Sequence, residues 1–184
     1  MNEVDDVVDL LVLGLGNLLC GDDGAGIAAV ERLREGWATP DGALVLDGGT
    51  LGLSLLPYLQ NARNVILVDA VGADAPPGTL VRVTGEEVGP AAAHRLSPHQ
   101  VGVADLLDGA RLLGGFPETI TIVGLVPGTT ELSVERTPPV AARIDDLVLA
   151  VVAEAERLGH AFTRKEQHES GYLRSDPRDG AVGV

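Results

Sequence analysis

Leu10-Leu-Val-Leu-Gly-Leu-Gly-Asn17 is a short aliphatic run that breaks into a glycine-bearing loop, and Gly24 to Arg34 follows with Ile27, Val30 and Leu33 on one helical face. The order is strand, loop, helix, and it recurs. Ala43 to Leu46 is a second apolar run, closed by Asp47-Gly48-Gly49-Thr50 and followed by a helical pattern from Leu51 to Leu59. Asn64-Val65-Ile66-Leu67-Val68 is uninterrupted and rich in β-branched residues, as a strand buried on both faces should be, and it stops at Asp69. Pro76-Pro77-Gly78 turns the chain into a strand at Leu80 to Thr84, and Thr119 to Leu125 is the last strand.

Ser97-Pro98-His99-Gln100 combines a capping serine, a proline at the first helical position and a glutamine three residues after the cap. The helix it opens carries Val103, Leu106, Leu107, Ala110 and Leu113. Val140, Ile144, Leu147, Val148, Val151, Val152 and Ala155 hold helical spacing to Leu158. Continuously apolar strands alternating with helices predict an α/β fold, a three-layer α/β/α sandwich with a central, mostly parallel twisted sheet. The division expected is an N-terminal extension at 1–9, one domain at 10–159, and a polar, disordered tail at 160–184. Pro127 to Pro139 is a longer connection, expected to be mobile.

Composition narrows the function. At 184 residues there is room for one core and one site. Thirteen Lys and Arg against 27 Asp and Glu give a net charge of -14, which repels phosphate backbones and anionic lipid, so neither nucleic acid nor a membrane surface is the expected partner. Hydrophobic residues at 45% supply a core, and aromatics at 3% argue against base stacking or an aromatic cage. A single cysteine, Cys20, excludes an internal disulfide framework and a Cys-rich zinc site. Met1 to Asp9 has no basic leader region and no apolar run is long enough to span a bilayer, so a cytoplasmic protein is expected.

In an open α/β sheet ligands bind beyond the carboxyl ends of the strands, which directs attention to polar residues just past those ends. Asp22 and Asp23 follow the first strand, Asp69 closes the central one, and His99 lies in the first turn of a helix. Two carboxylates and an imidazole there would make an oxygen-rich, one-nitrogen metal site with room for water or substrate. The helix dipole disfavours imidazolium at His99 and keeps it able to ligate. Each residue also has a plainer reading: His99 as a surface histidine, Asp69 as the cap of a turn, Asp22 or Asp23 as a solvated turn residue or a helix cap. Cys20 reads better as a small buried thiol than as a ligand. Gly14-Leu15-Gly16 invites a dinucleotide-binding reading, but Leu19 stands where the third glycine belongs and two carboxylates stand where a pyrophosphate would lie. The glycines read instead as a tight turn that brings backbone close to the site. No G-x-S-x-G or H-E-x-x-H occurs.

Leu11-Val-Leu-Gly-Leu-Gly-Asn-Leu-Leu-Cys-Gly-Asp-Asp-Gly-Ala-Gly26, Asp47-Gly-Gly-Thr50, Val68-Asp69-Ala70 and Ser97-Pro-His-Gln100 together resemble the hydrogenase maturation proteases, in family order and at family spacing. Gly124-Leu-Val-Pro127 and the final amphipathic helix resemble the family's closing elements, so the likeness spans Leu10 to Leu158. It implies an endopeptidase that removes a C-terminal extension from the large-subunit precursor of a [NiFe] hydrogenase once nickel has been inserted. It also implies that Asp23, Asp69 and His99 are the catalytic, metal-contacting trio, with Asp an accepted alternative to Glu at position 23. The nickel would come with the precursor, no organic cofactor would be needed, and the enzyme would act as a monomer pairing transiently with its substrate. Val126, where many members carry Gln, and the polar tail depart from the pattern and bear on partner choice. Two other readings are a non-catalytic, nickel-sensing chaperone of hydrogenase assembly and a nucleotide- or flavin-binding α/β protein.

Overall fold

The run Leu10 to Leu13 is fully shielded from solvent and forms the middle of the first strand. The computed structural model describes residues 7–88 and 103–166. In chain order these form β1 (Val8–Leu15), α1 (Ala25–Gly36), β2 (Trp37–Ala38), β3 (Ala43–Gly49), α2 (Leu56–Gln60), β4 (Ala62–Ala70), β5 (Leu80–Thr84), α3 (Val103–Leu113), β6 (Thr119–Leu125), α4 (Pro138–Ala141), α5 (Ile144–Arg157) and β7 (Thr163–Arg164). The main sheet has the order β3-β1-β4-β6-β5. The pairs β3·β1, β1·β4 and β4·β6 are parallel, and β5 runs antiparallel to β6. A parallel return needs a crossover of a dozen or so residues, whereas the segment joining β4 to β5 is short and helix-free, so β5 comes back in the opposite sense.

Strand alternation divides the core in two. Leu10, Val12, Ile66, Val68, Val123 and Leu125 face α1 and α5, while Leu11, Leu13, Val65, Leu67, Ile120 and Ile122 face α2 and α3. A fully buried Leu contributes about 2 kcal/mol, so a one-residue slip of β1 would exchange both sets at once, yet leave the strand apolar on each side. Register is therefore set by the ladders to two neighbours, Leu11 opposite Leu44 on one side and Val65 on the other. The result is the three-layer α/β/α sandwich.

Several boundaries differ from the sequence reading. The stretch Leu51 to Leu59 begins as a 3-10 turn at Gly52–Leu55 before α2. The last helical pattern is broken into α4 and α5. Packed chain also continues past 159: Phe162 is buried against the α1/α5 core, and β7 pairs antiparallel with β2. Residues 160–166 are therefore part of the folded unit. His99, the helix start at Ser97–Gln100, residues 1–6 of the extension and residues 167–184 of the tail lie outside the described residues. No helix among the described residues is long and apolar enough to cross a membrane.

Candidate active site

The chain leaves β1 for β3 on one side and then crosses to β4 on the other, so the carboxyl ends of β1 and β4 flank the point where strand order reverses. A crevice forms at such a switch point because the two outgoing connections diverge to opposite layers. Asp69 is the penultimate residue of β4, and Asp23 lies in a 3-10 turn, Gly21–Gly24, that follows β1 and packs against β4.

Two glycines permit that closeness. Gly16 has a φ of 126°, and a Cβ there would overlap the Asp23 carbonyl. At Gly26, in the first turn of α1, a Cβ would overlap the Val68 carbonyl and stand 2.5 Å from that of Leu15. The start of α1, with the turn that precedes it, therefore rests directly on the ends of both strands, as the tight-turn reading of the glycines requires. The loop after β3 is drawn in as well: the Gly16 amide donates to the Gly49 carbonyl, and the Gly49 amide donates to Asp47 Oδ1.

Asp23 and Asp69 are both buried, at 4% and 2% exposure. Asp69 Oδ1 accepts a 2.7 Å hydrogen bond from the amide of the next residue, Ala70, which is still within β4 and paired with Leu125. Asp69 shares the parity of Val65 and Leu67, which face the α2/α3 layer, and α3 is the helix that the segment carrying His99 leads into. Among the described residues no group of three or more His, Cys, Asp or Glu side chains is placed to hold a metal ion.

Asp22 fits neither reading the sequence offered. It is fully buried, not a solvated turn, and neither the 3-10 turn nor α1 has a side-chain cap. Its Oδ2 accepts from the amides of Gly128 (2.7 Å) and Thr129 (3.3 Å) and from Thr137 Oγ1 (2.7 Å), and its Oδ1 accepts from the Thr137 amide (2.7 Å). The connection Pro127 to Pro139 is thus tied at both ends, contrary to the expectation of a mobile segment. Cys20 is half-exposed, not a buried thiol, and forms an isolated parallel bridge with Ser133 of that connection.

A further buried acid, Glu154, lies elsewhere. Glu154 receives both arms of Arg82 at 2.7 and 2.9 Å, the Thr121 hydroxyl at 2.9 Å and Arg157 at 2.6 Å. The Arg82 fork, above all, holds its carboxyl below the usual range against the opposing effect of burial. It borders a cavity of about 530 Å³ at the amino end of β6, away from Asp23 and Asp69. Glu154 ties α5 to strands β5 and β6, a structural role.

Comparison with known proteins identifies the family. A family model for hydrogenase maturation proteases matches residues 27–154, more than half of the chain. The chain belongs to the hydrogenase maturation protease family. It is 38% identical over 162 residues to the hydrogenase 2 maturation protease of Escherichia coli K12, covering 87% of this chain and 99% of that one. It is 40% identical over 158 residues to the hydrogenase expression/formation protein HupD of Rhodobacter capsulatus, covering 84% and 75%. Among solved structures it is similar to the hydrogenase maturating endopeptidase HybD of E. coli, with a TM-score of 0.80 at 36% identity over 86% of this chain and 98% of the other. It is also similar to a [NiFe] hydrogenase maturation protease of Thermococcus kodakarensis, with a TM-score of 0.64 at 29% identity over 80% and 99%. A maturation protease is a peptidase, so the chain is a hydrolase, and the nucleotide- and flavin-binding readings fall away.

Proposed function

We propose that this maturation protease removes the C-terminal extension of a [NiFe]-hydrogenase large-subunit precursor after nickel insertion, with Asp23, Asp69 and His99 engaging the nickel already seated in the precursor. The observation that supports this most is the burial of Asp23 and Asp69 at the ends of the two strands flanking the switch point. His99 would add a nitrogen donor, neutral if the Ser97–Gln100 segment opens a helix as its sequence predicts. Two carboxylates and an imidazole suit a divalent first-row metal, and an incomplete set leaves positions for ligands from the precursor.

Nickel is here part of the substrate. Its role would be to bring the scissile bond to the carboxylates, so that only a loaded precursor is aligned for attack by water, one carboxylate accepting the proton. Amide hydrolysis of this kind needs no organic cofactor. The enzyme would act in the cytoplasm, as a monomer that pairs with the precursor and then releases it.

A mass-spectrometric assay tests this directly. Precursor from the same organism, with and without nickel, is mixed with the protein. Loss of a C-terminal peptide from the loaded form alone is the expected result. Persistence of every loaded precursor, with tight nickel retention by the isolated chain, would instead favour the nickel-sensing chaperone.

A further inference from the structure

The Asp22 carboxylate is fully buried, and no step above uses it. Four donors converge on it and it has nothing to donate, so the surroundings match an acceptor-only carboxylate. An asparagine cannot replace it cleanly. With the amide oxygen at Oδ2, the amide nitrogen meets the Thr137 N–H; with the oxygen at Oδ1, it meets the amides of Gly128 and Thr129.

What Asp22 holds is the strap, residues Pro127–Pro139, of which 128–139 place no side chain in either core. Leu132 and Val134, in its middle, are 86% and 76% exposed. The strap in turn holds the turn that carries Asp23. The first amide groups of a helical turn lack internal partners and are normally satisfied by a side-chain cap, which is missing here. Instead the Gly21 amide donates to the Ser133 carbonyl at 2.7 Å and the Asp22 amide to the Thr129 carbonyl at 3.3 Å, while the Ser133 amide returns a bond to the Leu19 carbonyl at 2.9 Å. The circuit is closed: strap amides bind the Asp22 side chain, and strap carbonyls cap the turn.

We propose that Asp22 is a positioning residue for peptide cleavage, holding the strap whose carbonyls fix the direction of the turn bearing Asp23. This rests on the reading of Asp23 as a group that engages the precursor's nickel.

The test uses the full chain and a nickel-loaded precursor, measuring kcat and KM at a temperature where circular dichroism shows each variant folded. Asp22→Asn should lower kcat about 100-fold, the size of effect that a misplacement of about 1 Å brings, with KM changed by no more than about threefold. Thr137→Val removes one of the four donors and keeps its amide, so a smaller fall in kcat is expected; it carries the test should Asp22→Asn not fold. A cross-link supplies the readout that a merely structural role would not move. Cys20 and Ser133 are bridge partners, about 5 Å apart in backbone and within disulfide reach. In the double variant Asp22→Asn/Ser133→Cys, oxidation should restore kcat toward that of the Ser133→Cys background, and reduction should remove it again.

A folded Asp22→Asn with unchanged kcat, a loss confined to KM, or a loss that the cross-link does not reverse would overturn the proposal. Asp69→Asn serves as the control. If that variant also cuts at the normal rate, or if the unaltered protein cuts no loaded precursor, the site reading fails, and the positioning role of Asp22 fails with it.

Discussion

Alanine at either end of α1 should change stability in opposite directions, and the reason lies in where the site is built. Gly36, the last residue of the helix, has no neighbour within 4 Å of a would-be Cβ. Gly36→Ala should therefore stabilise by about 0.5 kcal/mol through the lower entropy of the unfolded chain. Gly26→Ala gains a similar helix propensity, but its methyl meets two backbone carbonyls, those of Val68 and Leu15, neither of which can swing aside. Accepting it requires α1 to lift off the strand ends by at least several tenths of an ångström. Ile27, Ala29, Val30 and Leu33 would then lose close contact with the sheet, where a gap of that size forfeits a quarter to a half of each dispersion well. Overpacking of this kind costs about 1–3 kcal/mol, which after a gain of about 0.5 kcal/mol leaves a net loss centred on about 1.5 kcal/mol, or about 3–6 °C in Tm for a domain of this size. Thermal and urea denaturation of the two variants decide the matter, and precursor cleavage on the same samples should be lost only in Gly26→Ala. Stabilisation by both substitutions, or unimpaired cleavage by Gly26→Ala, would show that α1 does not rest on the strand ends as described.

Asp69→Asn keeps the size and removes the charge, so cleavage of loaded precursor should fall at least about 100-fold with the far-ultraviolet circular dichroism unchanged; ordinary processing would remove Asp69 from the site. Phe162→Ala should cost about 3 kcal/mol in urea unfolding, since the ring is 7% exposed in the α1/α5 core; a change near zero would show that the chain beyond 159 is not docked. Glu154 has a folded pKa below its ordinary 4.5, first through Arg82, so its contribution to stability is complete above about pH 4.5 and is lost as pH falls through the depressed value. Glu154→Gln should cost about 2 kcal/mol near neutrality, less than for a pair buried on both sides because Arg82 and Arg157 are half-exposed and rehydrate, and the loss should shrink at acid pH; an equal loss at all pH values would contradict the pairing.

The parts of the fold that could be read from the sequence are those where one local pattern decides one element. Leu80–Thr84, introduced by the Pro76-Pro77-Gly78 turn, and Thr119–Leu125 are strands over the residues the sequence predicts, and β4 extends the Asn64–Val68 run by only two residues at each end. The pairing of β2 with β7 had no such pattern. Two residues cannot display a period, and Arg164 sits in a polar stretch whose order comes from partners far along the chain: the Trp37 ring 5.0 Å from its guanidinium, and the Arg34 carbonyl bound by Lys165. The strap departs from its expected mobility for the same reason. Nothing within Pro127–Pro139 is periodic, and its anchor is a single carboxylate more than a hundred residues earlier.

The carboxylates themselves show how far residue type can go and where geometry must take over. Asp22 and Asp23 are chemically identical neighbours, and a sequence can place both beyond a strand end without saying what either does. A 3-10 turn has three residues per revolution, so adjacent side chains leave it about 120° apart. Asp22 accordingly points at the strap and accepts four hydrogen bonds there, whereas the neighbouring carboxylate leaves the same turn, which packs against β4, in a different direction. An exchange of roles between them is therefore not a matter of degree: converting Asp22 to asparagine disturbs the alignment of the turn, whereas converting Asp23 removes the group being aligned. Only the first loss should be recoverable by tethering the turn to the strap.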